Sequence, residues 1–147
     1  MNLSVIAMAV TAGAVGIGIS LQSAVNTALA RRIGTLEATL VSVSVTWLIV
    51  ATLLLTGLRR GSLGQVLLVP PYLLIGGFLG AAVLITAITV VPRLGTGGLI
   101  AAFVVGQLIG SLILDHFGAF GLRHIPITPV RLAGAVLLLA GMRLVIR

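Results

Sequence analysis

The sequence contains no cysteine and no lysine, and its 147 residues include only two acids, Glu37 and Asp115. Without cysteine there are no disulfides, no thiolate chemistry and no cysteine metal sites. Charged residues make up 7% of the chain, where a soluble domain carries about a quarter. Water is therefore not the main solvent of this protein. Aromatic residues are also scarce, at 4%, and the nine arginines sit at the ends of apolar runs rather than in a basic stripe interleaved with aromatics. The formal net charge of +7 thus suits lipid headgroups and gives no basis for a nucleic-acid partner. No Ser/His pair, paired carboxylates or metal-ligand constellation occurs within the apolar runs, so neither catalysis nor a metal or cofactor is expected.

What the chain does have is apolar length. Hydrophobic residues make up 59% of it and the mean hydropathy is +1.30. One membrane crossing takes about 20 apolar residues, so roughly five crossings and their loops use the whole chain as a single transmembrane domain, 1–147, of all-α class. The start, Met1-Asn2-Leu3-Ser4, lacks a basic region and its apolar run continues too far for a signal peptide, so it is expected to be the first span.

Punctuation places the five spans at about 3–32, 36–58, 70–91, 95–114 and 129–146. Arg31 and Arg32 oppose the negative end of the first helix dipole and Gly34 stops it. Thr35 is expected to cap the second helix, with Glu37 in its first turn and Arg59-Arg60-Gly61 closing it. Pro70 and Pro71 open the third, and Pro92 and Arg93 end it. The fourth begins so soon afterwards that an antiparallel hairpin is expected. A polar loop from Asp115 to Thr128 follows, and Thr128-Pro129 supplies cap and first turn for the fifth.

Five spans put the termini on opposite sides. Arg59, Arg60, Arg123 and Arg131 then fall on one side, and Arg31, Arg32, Arg93, Arg143 and Arg147 on the other. Positive charge in short loops selects the cytoplasmic face, so a four-to-five split predicts insertion in both orientations. Opposite copies can pair about a two-fold axis in the membrane plane, as an antiparallel homodimer that mimics the inverted repeats of larger transporters.

Polar residues in the spans mark a possible cavity. Gly18, Gln22 and Asn26 share a helix face, as do Gln107, Ser111 and Asp115, and Thr35, Thr39, Ser42 and Thr46 form a third stripe. Lipid would leave their hydrogen-bonding groups unpaired, so the stripes are expected to face inward. Gln22, Asn26, Ser42, Thr46, Gln107 and Ser111 are the substrate-cavity candidates, against the alternative that they only join helices. Asp115 sits at a helix C-terminus, where negative charge is disfavoured, and calls for a partner among His116, Arg123 and Arg131; Asp115 and His116 are candidates for a charge relay or an anchor. Gly76, Gly80, Gly106, Gly110, Gly134 and Gly141 are packing or dimer candidates at small-residue spacing.

Several blocks together carry a resemblance: Leu21-Gln22 through Asn26 to Arg31-Arg32-Ile33-Gly34; Pro92-Arg93-Leu94-Gly95; Gly106-Gln107-Leu108 leading to Asp115-His116-Phe117-Gly118; and Arg131-Leu132-Ala133-Gly134. The chain resembles the YdcZ family, small bacterial inner-membrane proteins of unassigned function within the drug/metabolite transporter superfamily. The resemblance implies a five-helix half of a ten-helix transporter fold, assembled as a homodimer, a heterodimer or a fused repeat, and transport of a small organic solute. Gln22, Asn26, Gln107, Asp115 and His116 fall on its motif positions. The function expected is thus a dual-topology transporter subunit working by alternating access. A passive channel and a structural or partner-binding membrane subunit are the alternatives.

Overall fold

The computed structural model describes residues 3–57 and 61–146. The expected end of the second span at Leu58, together with Arg59, Arg60 and Arg147, lies outside the described residues. Every regular element among those described is helical: α1 (Leu3–Ile33), α2 (Thr35–Leu55), α3 (Ile75–Phe117) and α4 (Pro129–Val145), with short 3-10 turns over Leu63–Leu68, Pro71–Leu74 and Ala119–Gly121. Three helical stretches, Val5–Ile33, Thr35–Leu55 and Pro71–Phe117, are long and apolar enough to cross a membrane. Contacts divide the chain into two compact units, Met1–Pro92 and Arg93–Arg147.

In the first unit, α1 and α2 are joined by one residue. Gly34 has φ 101° and ψ 157°, a conformation that a Cβ disfavours. Its N–H donates to the carbonyl of Ala30 at 2.9 Å, and its own carbonyl accepts from the N–H of Ala38 at 3.0 Å, so both helices keep their hydrogen bonds up to the joint. Gly34, and not Thr35, is therefore the N-cap of α2, and it makes no side-chain capping bond. The Glu37 carboxylate folds back over Gly34, where it would overlap any Cβ. That is the favourable end of the α2 dipole. Beside the joint, Ala38 is fully buried and Ser23, Asn26, Thr27 and Thr39 are nearly so.

Pro70 and Pro71 open the third helical stretch, but its first turn is not α-helical. Pro70 is extended, at φ −56° and ψ 135°, because the ring of Pro71 disfavours helical geometry in the residue before it. Pro71–Leu74 then makes a 3-10 turn, and α3 proper starts at Ile75.

Pro92 does not end a helix. Helical structure runs through Pro92 and Arg93 and breaks at Gly95, with φ 69° and ψ 167°. The break falls where a residue without Cβ can take positive φ. Gly34 and Gly95 share more than conformation. They stand in Arg32-Ile33-Gly34-Thr35 and Arg93-Leu94-Gly95-Thr96, sixty-one residues apart. Burial follows the same offset: Asn26 and Thr27 match Ala87 and Ile88, and Ala38 matches Leu99.

In the second unit, α4 lies antiparallel along the stretch of α3 that follows Gly95. Arg131 at the start of α4 meets Asp115 near the end of α3. At the other end Val145 and Ile146 lie alongside Gly97 and Gly98, at ordinary contact distance: a Cβ on the former glycine would be 3.9 Å from Val145 and one on the latter 3.6 Å from Ile146. Leu99, Val105, Leu112 and Ala135 are buried here. Thr128 caps α4 by accepting from the Arg131 N–H at 3.3 Å, with Pro129 in the first turn.

Candidate functional site

Most hydroxyls in the spans need no partner from another helix. The hydroxyls of Thr11, Ser20, Ser23, Thr27, Thr39, Thr46 and Thr52 donate to the carbonyl four residues back in their own helix. Ser111 donates to Leu108 at 2.9 Å. This back-bonding satisfies the hydroxyl donor locally, so Ser and Thr stripes do not by themselves have to face inward.

Carboxamides have no such local solution. Asn26 is buried and its Nδ2 donates to Ser42 Oγ at 3.2 Å, tying α1 to α2. Residues 26 and 42 are each eight from Gly34, so the hairpin register places Gln22 opposite Thr46 one turn further from the joint. Both of those are exposed. Gln22 and Asn26 therefore differ despite their shared face: one closes the hairpin and the other looks out of it. Gln107 on α3 is exposed as well, and Ser111 follows it on the same exposed face. Among the described residues, neither Gln22 nor Gln107 makes a hydrogen bond.

Asp115 is held by several contacts. Of its three possible partners, Arg131 takes the role, with Nη2 at 2.6 Å from Oδ2. Arg131 Nη1 donates to the carbonyl of Ile125 at 3.2 Å, and the Asp115 carbonyl accepts from the N–H groups of Ile125 at 2.8 Å and Gly118 at 3.3 Å. His116 Nδ1 accepts from the Ile127 N–H at 3.4 Å. The His116 ring meets Phe117 edge-on at 5.0 Å and lies 6.0 Å from the ring of His124. These contacts strap the loop between α3 and α4 onto both helix ends, the geometry of an anchor.

The glycines expected to mediate packing lie open. A Cβ on Gly76, Gly80, Gly106, Gly110, Gly134 or Gly141 would meet nothing within 4 Å, whereas one on Gly98 would be 3.1 Å from Leu94 Cβ. Close approach within the chain thus falls on Gly34, Gly98 and Gly118, where a Cβ would be 3.2 Å from the Leu122 carbonyl oxygen. The two arginines before Gly34 marked it as a helix stop, and nothing in the sequence spacing singles out Gly98 or Gly118. In the second unit, an apolar recess of about 250 Å³ lies between Ala101, Val104 and Val105 on α3 and Leu138, Gly141 and Val145 on α4.

Residues 6–144 match the family described as "Putative inner membrane exporter, YdcZ". This chain belongs to the YdcZ family. No curated protein and no solved structure matches it. As a YdcZ protein with long apolar helices, it is a multi-pass protein of the inner membrane whose family is described by export and not by catalysis.

Proposed function

We propose that the chain exports a small organic solute as one half of an antiparallel homodimer, by alternating access. The observation that carries this reading is the pair of exposed, unbonded carboxamides, Gln22 and Gln107, on otherwise apolar helices. In hydrocarbon each would cost several kcal/mol, so in the membrane each needs a polar partner from protein, water or solute. Twelve residues separate Gln22 from Gly34, and twelve separate Gly95 from Gln107. That is about 18 Å of helix, near the middle of a hydrocarbon layer about 30 Å thick, the depth at which transporters of inverted-repeat architecture bind their solutes.

Five crossings fit the element lengths. The 43 residues of α3 measure about 65 Å as helix, over twice the hydrocarbon thickness, and Gly95 divides them. The 17 residues of α4 measure about 25 Å. The four-to-five arginine split supports insertion in both orientations. Asn26 and Ser42 hold the hairpin, while Gln22, Thr46, Gln107 and Ser111 face the path. Asp115 and His116 act as an anchor. The open glycines, Gly76, Gly80, Gly106, Gly110, Gly134 and Gly141, are the surfaces on which copies meet.

Gln22→Leu and Gln107→Leu test this. Each variant is expected to keep its helicity and its dimer in detergent and to lose at least ten-fold in solute flux from vesicles. Dimers that fall apart would instead make the amides structural. Flux that rises without saturation would favour a passive channel.

A further inference from the structure

The ionisable side chains of the described spans keep to the ends of their helices. Arg32 precedes Gly34 by two residues, Glu37 follows it by three, and Arg93 precedes Gly95 by two. Asp115 lies eight residues beyond Gln107, about 12 Å further along the helix, and is paired with Arg131 at 2.6 Å. Arg143 is in the last turn of α4. About 18 Å of helix from the joints the polar groups are neutral: the Gln22 and Thr46 side chains, each twelve residues from Gly34, and the Gln107 side chain, twelve beyond Gly95, all exposed.

We infer that the solute crosses as an electrically neutral molecule recognised through hydrogen bonds, and that its passage carries no net charge. This rests on the reading of Gln22 and Gln107 as lining of the path and names the chemistry they accept. A charged solute would shed its hydration at mid-depth with no opposite charge to meet it. A carboxamide presents two N–H donors and an acceptor oxygen, complementary to hydroxyl, carboxamide or uncharged heterocyclic groups. Two-fold pairing with a second copy doubles these groups and adds no charge of either sign at that depth. Neither of the two carboxylates, Glu37 and Asp115, lies at that distance from the joints to carry a coupling proton.

The test uses the purified chain in liposomes with four probes: xylitol and malonamide as neutral solutes, ethidium as a cation and pyranine as an anion. Each is followed with a potassium diffusion potential of either sign and with none. At least one neutral probe is expected to equilibrate ten-fold faster than in protein-free vesicles, within two-fold of the same rate at every potential. Ethidium and pyranine are expected to match protein-free vesicles, and Gln22→Leu and Gln107→Leu to slow the neutral probe at least ten-fold. Potential-driven movement of ethidium or pyranine overturns the inference and leaves the transporter reading standing. Neutral flux unchanged in both leucine variants overturns recognition by the amides. If no probe moves faster than in protein-free vesicles, the inference and the transporter reading fall together.

Discussion

At the scale of single residues, the two glycine joints carry different constraints. Both have positive φ, but only at Gly34 does a carboxylate occupy the space of a side chain. Gly95→Ala should therefore cost only the backbone strain, about 1–3 kcal/mol. Gly34→Ala should cost about 0.5 kcal/mol more, because the flexible end of Glu37 must also move aside. Thermal unfolding in detergent measures both, and adding Glu37→Ala to Gly34→Ala should recover the difference. Equal losses at the two glycines, with no recovery in the double variant, would show that the Glu37 contact contributes nothing. The role of Gly34 as a stop was legible because a glycine follows two arginines at the end of an apolar run. That of Gly95 was masked by Pro92, whose ring the last turn of the preceding helix accommodates. The partner of Asp115 was legible in kind, since a carboxylate at a helix C-terminus calls for a cation. Choosing Arg131 over His116 and Arg123 required the fold of the loop.

At the scale of elements, the link from α3 to α4 is the segment most tightly bound by side chains. Phe120 has φ 56°, and Gly118 and Gly121 are also positive, so the backbone there holds a course that the contacts of Asp115 and Arg131 must maintain. Both side chains are about a third exposed or less, at 26% and 31%, and solvent limits such a pair to about 1 kcal/mol. Arg131→Gln should therefore leave helix content unchanged while speeding proteolysis between residues 118 and 127 several-fold. An unchanged cleavage rate would mean that the backbone bonds of Ile125 and Gly118 suffice. Element boundaries were readable where one residue does one job, as at Thr128-Pro129. At Pro70-Pro71 the start was readable but the 3-10 form of the first turn, Pro71–Leu74, was not. Polar stripes were visible as helical spacing, but spacing does not tell a hydroxyl bonded to its own helix from an amide that needs a partner. That distinction separates Thr39 and Ser111 from Gln22 and Gln107.

At the scale of the whole molecule, large apolar side chains such as Leu21, Trp47, Phe78 and Leu137 are exposed along the helices, as lipid or another copy of the chain requires. Membrane class, helical content and family were all legible from composition and motif blocks. Sidedness is the property most open to measurement. A cysteine introduced at the C-terminus of this cysteine-free chain should react with an impermeant maleimide from both faces of the membrane, in comparable amounts. Labelling from one face alone would sink dual insertion. Adding two arginines to the loop around Arg123 should then shift the labelling toward a single face.

The one-residue link at Gly34 also bears on biogenesis. Consecutive Cα atoms are about 3.8 Å apart, so the end of α1 and the start of α2 cannot occupy different depths at any moment of synthesis. The pair is therefore expected to seat as a single hairpin, with the end of α1 and the start of α2 on the same face of the membrane.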